Sequence, residues 1–253
     1  MSTESSTGSN LTINDSLPVS FLIWYGQLKT GLEVVLAALM LVLLAPLILV
    51  SMLLVKWTSR GPALYSQERL GRGGRRFMIY KVRSMYFDCE RHSGARWATV
   101  NDPRITPVGW FLRMTHLDEL PQLWNVLRGD MSLIGPRPER PEIACDLEEA
   151  LPDYRDRLVI RPGITGLAQV QLPPDEDLDS VRRKLNCDLY YIERMNPVLD
   201  FQILLATATK VIGIPCATAC RALRVPIEAE IQERRWAQDE NRGPEYRVLV
   251  DLA

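Results

Sequence analysis

At 253 residues, with 30 basic and 31 acidic side chains and a net charge of -1, the chain can bury one sizeable core and has no overall charge suited to coating nucleic acid. Its five cysteines, Cys89, Cys145, Cys187, Cys216 and Cys220, form no CxxC pair beside a histidine cluster, which excludes a zinc site of the usual spacing and fits a reduced compartment. Any basic function is therefore local.

Residues 1–28 are rich in Ser, Thr and Asn and read as a polar tail with a short apolar patch at Phe21 to Tyr25. From Val34 to Val55 there is no charged residue and one hydroxyl, Ser51, a run long enough to cross a bilayer. Its apolar length, and the absence of Lys or Arg from Met1 to Gln27, predict a retained anchor rather than a cleaved signal. Pro46 removes a backbone hydrogen bond inside the run and predicts a kink. Lys29 precedes the run, and Lys56 and Arg60 follow it, so flanking charge selects no direction. From these residues alone, a kinked spanning helix and a bent re-entrant helix both stand.

The composition then becomes that of a soluble domain. Ala63 to Arg69 and Arg76 to Arg83 predict a hairpin around Gly71 to Gly74, and Arg91 to Pro107 predicts a long loop. Leu117, Leu120, Leu123, Trp124 and Leu127 follow helical spacing, and Pro121 is compatible with it only in the first turn, so the helix starts near Asp118. Further helices are expected at Glu142 to Asp153, Leu178 to Arg194 and Val198 to Ile212, the last either on a membrane surface or in the core. No internal repeat is visible.

Asp118 and Glu119 fall at a predicted helix N-terminus, where an isolated acid pair is usually no more than a cap. Their surroundings point to more. Arg113 lies five residues upstream, Gly135-Pro136-Arg137-Pro138 is a stiff turn that holds Arg137 in one orientation, and Arg161-Pro162-Gly163-Ile164-Thr165-Gly166 offers a second arginine beside small residues. Lys81, at the end of the hairpin, adds a point charge. Fixed arginines near paired carboxylates suit phosphate chemistry.

These segments, GPALYSQERLGRGG at Gly61 to Gly74, FMIYKVRSM at Phe77 to Met85, DPRITPVGWFLR at Asp102 to Arg113, LDELPQLWNVLRGDMSLIGPRPE at Leu117 to Glu139, RPGITGLAQV at Arg161 to Val170 and DLYYIERM at Asp188 to Met195, together resemble the bacterial sugar transferase family of small monotopic phosphoglycosyl transferases. The resemblance covers about Lys29 to Gly213. It implies an α+β fold, a proline-broken re-entrant helix with both ends on the cytoplasmic side of the bacterial inner membrane, and a mostly helical cytosolic catalytic domain with a small β-hairpin. The division is then 1–28 tail, 29–58 anchor, 59–214 catalytic domain and 215–253 a tail of unassigned role.

The resemblance further implies transfer of a sugar-1-phosphate from a UDP-sugar to polyprenyl phosphate, the first membrane step of exopolysaccharide, capsule or O-antigen type synthesis, with a homodimer left open and no nucleic-acid partner. Asp118 is then the nucleophile, forming a covalent phosphosugar-aspartate. Glu119 is the Mg2+ ligand, and Lys81, Arg113 and Arg137 stabilise phosphoryl oxygens. Arg161, Asp188 and Asp200 are further substrate-binding candidates. The alternative is a non-catalytic, membrane-tethered module that binds nucleotide-sugars or phospholipid headgroups. The chain departs from the family pattern where Gln169-Val170 is followed by Gln171-Leu172-Pro173-Pro174 instead of a glycine-arginine pair, and in having Glu33 where Asp is common.

Overall fold

A computed structural model describes residues 19–89, 102–175, 177–211 and 213–233. The expectations for 1–18, most of the 91–107 loop and 234–253 fall outside the described residues.

The apolar run is part of one helix, α1 (Val19–Thr58), which continues through Pro46 and whose segment from Tyr25 to Thr58 is long and apolar enough to cross a membrane. Its 40 residues span about 60 Å at 1.5 Å per residue. One side of α1 packs on the domain through Ala37, Met40, Leu41 and Leu44, while Leu32, Val35, Leu39, Val42, Leu43 and Leu53 stay exposed. Both ends of α1 touch the same body of protein. Near its start, the Tyr25 hydroxyl donates to Asp200 and Arg161 donates to Thr30, and near its end Val55 packs on Val82 and Leu112 while Arg83 donates to the Ser59 hydroxyl.

The hairpin forms as expected, with β1 (Leu64–Leu70) antiparallel to β2 (Arg76–Val82) in a register from Leu64↔Val82 to Leu70↔Arg76. Its turn is a 3-10 segment, Arg72–Gly74, in which Gly73 and Gly74 take positive φ. A short amphipathic helix follows, α2 (Pro107–Met114), capped by the Thr106 hydroxyl accepting from the Gly109 nitrogen.

The helix expected from Asp118 divides in two: Leu117–Gln122 is a 3-10 segment, and α3 proper is Leu123–Leu127. Pro121 explains this, because its missing N–H and its ring disfavour an α-turn closing on Leu117. Two three-residue strands, β3 (Ser132–Ile134) and β4 (Gly163–Thr165), pair in parallel. They approach so closely that a Cβ on Gly163 would clash with the Gly135 nitrogen.

The helix expected over Glu142 to Asp153 is α4 (Pro141–Ala150), stopped by the extended Leu151 ahead of Pro152, after which Pro152–Leu158 runs as a 3-10 segment. After α5 (Leu167–Gln171) comes α6 (Leu178–Arg194), which begins with a capping box between Asp177 and Ser180. The next helix, α7 (Pro197–Val211), packs in the core, as one of its two alternatives expected, with Leu199, Ile203 and Ala206 buried, while Val198 and Phe201 are exposed. The chain continues into α8 (Cys216–Ala222). Among the described residues, a largely helical domain with two small sheets, carrying one long apolar helix, is the α+β architecture expected from the sequence.

Candidate active site

The hairpin, the 3-10 segment and the turn after β3 bring Lys81, Asp118, Glu119 and Arg137 together. Lys81 is the penultimate residue of β2, one strand step before the chain leaves the sheet. Asp118 and Glu119 occupy the first turn of the 3-10 segment, which follows His116 in the left-handed region at φ 56°. Arg137 stands on the turn after β3, where the paired glycine and proline segments leave little freedom.

Glu119 is the hub. Its Oε1 accepts from Lys81 Nζ at 2.7 Å and from Arg137 Nη2 at 2.7 Å. Burial alone would raise its pKa, but the two cations hold the carboxyl well below the usual range. Burial likewise pulls the Lys81 ammonium down against the opposing effect of Glu119, whereas the nearby Glu119 charge pushes the half-exposed Arg137 up.

Asp118 is in the opposite situation. It is 6 % exposed, and its carboxylate has no hydrogen bond or ion pair to any of the described residues. Burial first, and then the neighbouring Glu119 charge, push its carboxyl up to about 6 against the pull of Lys81, Arg113 and Arg137. Two adjacent acids are thus driven apart: Glu119 is spent on fixed cations, and Asp118 is an unpaired, unusually basic carboxylate. Arg113 is nearby, its Nε donating to the Ser84 hydroxyl at 2.8 Å.

Of the remaining candidates, Arg161 and Asp200 contact α1, and Asp188 lines a recess beside Arg137. Arg161 donates to Thr30 on α1 at 2.8 Å. Asp200 is buried between helices, its Oδ2 held by Lys29 Nζ at 2.7 Å and the Tyr25 hydroxyl, and its Oδ1 accepting from the Tyr191 hydroxyl at 2.6 Å. The same network reaches β3 through Glu33, which pairs with Lys29 and accepts from the Ser132 hydroxyl.

Asp188 is also buried, at 2.7 Å from Arg157 Nη2, and burial keeps its carboxyl raised despite that partner. Arg157 in turn donates to the Arg137 carbonyl at 2.9 Å and to the Tyr154 hydroxyl at 2.7 Å. On the other side of the turn, Arg69 donates to the Pro138 carbonyl at 3.2 Å and to Glu139 at 3.1 Å. Two largely buried arginines therefore clamp the turn that presents Arg137. Neither was singled out from the sequence, where each reads as an ordinary surface charge; only the fold shows what it touches.

Asp118, Glu119, Lys81, Arg113 and Arg137 line a cleft of about 1560 Å3. One wall is apolar, with Leu36, Met40, Leu44 and Leu47 from α1 and Leu204 from α7. Among the described residues no three His, Cys, Asp or Glu side chains form a group able to hold a metal. Glu119, the residue expected to hold Mg2+, has its Oε1 bonded to Lys81 and Arg137.

The family model for the bacterial sugar transferases matches residues 24–213. The chain is 43 % identical over 183 residues to the UDP-N-acetylgalactosamine-undecaprenyl-phosphate N-acetylgalactosaminephosphotransferase of Aeromonas hydrophila, covering 72 % of this chain and 43 % of that protein. It is 39 % identical over 203 residues to the undecaprenyl-phosphate glucose phosphotransferase of Komagataeibacter xylinus, covering 78 % and 38 %. Identity reaches 47 % over 134 residues with a putative undecaprenyl-phosphate N-acetylgalactosaminyl 1-phosphate transferase of Bacillus subtilis, covering 53 % and 74 %. The match thus spans about two fifths of the length of the first two relatives.

Proposed function

The chain belongs to the bacterial sugar transferase family, and on that premise we propose that it transfers a sugar-1-phosphate from a UDP-sugar to a polyprenyl phosphate at the cytoplasmic face of the bacterial inner membrane. The observation that carries this reading is the division of labour between Asp118 and Glu119, with one carboxylate buried, unpaired and basic beside another that anchors two cations. The names of the relatives, which specify UDP-sugars and undecaprenyl phosphate, support the donor and acceptor classes.

In this reading an Asp118 carboxylate oxygen attacks the phosphorus next to the sugar. The bond from that phosphorus to the oxygen bridging to the nucleoside monophosphate breaks, and UMP leaves with that oxygen. A phosphate oxygen of the polyprenyl phosphate then attacks the same phosphorus, the bond to Asp118 breaks, and the carboxylate is regenerated. Lys81, Arg113 and Arg137 hold the charge that spreads over the phosphoryl oxygens, and Arg157 and Arg69 keep Arg137 in place. Glu119, with Asp118 beside it, would hold Mg2+, which neutralises diphosphate charge when bound. The apolar wall from α1 and α7 suits a polyprenyl chain entering from the bilayer.

Chelation with EDTA is expected to stop UMP release, and Mg2+ to restore it. Glu119→Gln is expected to lower turnover by about 10²-fold or more, because it removes the counter-charge of Lys81 and Arg137 as well as the cation ligand. A Glu119→Gln enzyme with unchanged turnover and Mg2+ requirement would place the cation elsewhere.

A helix of about 60 Å whose two ends both rest on one domain supports an anchor that enters and leaves the membrane by the same face. Single cysteines at the exposed positions Gln27 and Arg60, in an otherwise cysteine-free chain, are expected to react with an impermeant maleimide from the same side of sealed vesicles. Labelling from opposite sides would mean that α1 spans the membrane.

A further inference from the structure

The cleft extends from Asp118 along the β1–β2 hairpin in two directions. Met85, Tyr86 and Phe87 lie toward one end, and Arg69, Glu139, Gln169, Asp175 and Lys184 toward the other. The hairpin register separates them: Leu64 pairs with Val82 at the first end and Arg69 with Phe77 at the second, and the five strand steps from Leu64 to Arg69 measure about 17 Å.

The two ends differ in chemistry. Tyr86 and Phe87 are 51 % and 60 % exposed and offer flat apolar faces, the surface on which a nucleobase stacks. At the Arg69 end the groups are hydrogen-bonding ones of both kinds. Lys184 Nζ lies 2.9 Å from Asp175 Oδ1, and each side chain is only about a fifth exposed. Beside them, Gln169 Oε1 and Arg69 Nε are buried with no hydrogen-bond partner among the described residues. A buried acceptor left unsatisfied in a polar wall is an arrangement that a hydroxyl-bearing ligand relieves. A recess of about 40 Å3, lined by Arg137, Glu139, Gln169, Asp175 and Lys184, adjoins this end and has room for a hydroxyl or a water molecule.

Secondary structure holds these groups in place. Gln169 is on α5, its Nε2 donating to the Ile164 carbonyl at 2.8 Å and its own carbonyl accepting from Lys210 at 2.9 Å. Lys184 is on α6, and Asp175 precedes the capping box of that helix. Arg137 stands between this end and Asp118, so a donor whose diphosphate rests on Arg137 has one route for its nucleoside and another for its sugar.

We propose that Gln169, Asp175 and Lys184 form the pocket for the hexose ring of the donor and select among hydroxyl epimers. The assignment rests on the transferase reading above, which places the diphosphate at Arg137. Polar partners to hydroxyls discriminate more strongly than apolar contacts, because the wrong epimer leaves a buried acceptor such as Gln169 Oε1 unsatisfied.

The test compares the affinity of UDP with that of UDP-hexoses for the full chain in detergent, by calorimetry, in wild type, Asp175→Asn and Lys184→Met. UMP release is followed in parallel for the glucose, galactose and acetamido donors. Both substitutions preserve side-chain size, so the fold is kept. The expected result is UDP affinity within about twofold of wild type, UDP-hexose affinity lowered by about tenfold or more, and the preference between epimers reduced by a similar factor. Equal weakening of UDP and UDP-hexose would assign this end to the nucleoside and overturn the proposal, as would variants that bind and discriminate like wild type.

The transferase reading fails separately. A wild-type protein that binds UDP-hexose but releases no UMP contradicts that reading, while the affinity ratio still decides the pocket.

Discussion

Asp118→Asn is expected to reduce UMP release by at least about 10³-fold while leaving the protein folded and its melting temperature unchanged or higher. A carboxamide cannot attack phosphorus, and no other described carboxylate in the cleft is both buried and unpaired, so no neighbour takes over. The substitution breaks no hydrogen bond or ion pair of the Asp118 side chain among the described residues. It also removes a buried negative charge that sits next to Glu119, which is why stability does not fall. Intact-mass measurement after mixing with a UDP-sugar in the absence of acceptor distinguishes mechanisms: wild type gains the mass of one phosphosugar and Asp118→Asn gains nothing. An adduct that persists in Asp118→Asn would place the nucleophile elsewhere.

The second large effect is on stability. Asp200 receives Tyr25, Lys29 and Tyr191 inside the interface between α1, α6 and α7, with Lys29 and Asp200 each about nine-tenths buried. Asp200→Ala leaves Glu33 as the remaining carboxylate partner of Lys29 among the described residues and removes the Asp200 acceptor of the Tyr25 and Tyr191 hydroxyls, so it is expected to destabilise the protein by roughly 3–5 kcal/mol, the range for breaking a buried ion pair from one side. Thermal unfolding in detergent is then lowered by on the order of 10 °C. Asp200→Asn, which retains hydrogen-bonding capacity, is expected to fall between.

Activity is expected to drop as well, because Glu33, in the same network, accepts from Ser132 and from the Ile134 nitrogen just ahead of the turn that carries Arg137. An Asp200→Ala protein melting within about 2 °C of wild type would show that the network contributes nothing to holding α1 on the domain.

What was legible in the sequence was local. The hairpin follows from two β-rich runs around a glycine turn, and α6 spans the Leu178 to Arg194 expected for it. Asp118 and Glu119 stand where the spacing around Pro121 puts them, at the first turn of a helical segment, although that turn is 3-10. The parallel pair β3–β4 was not legible, since strands of three residues are too short to show an alternation.

Nor could spacing reveal contacts between distant residues. Lys29 reads in the sequence as a flanking charge, and only the fold brings it to Asp200, 171 positions away. Asp188 and Arg161 stand out as polar residues in motif-rich segments, yet the fold commits the first to Arg157 and the second to Thr30. Arg157 itself carries no local signal, and its importance comes entirely from the Arg137 carbonyl that it meets.

The most direct test of the transferase reading is UMP release by the full chain purified in detergent, with a panel of UDP-sugars, Mg2+, and polyprenyl phosphate present or absent. The expected result is multiple turnover with at least one donor only when polyprenyl phosphate is present, and at most one UMP per protein without it. Sustained release without acceptor would mean transfer to water, and no release with any donor would contradict the transferase reading outright.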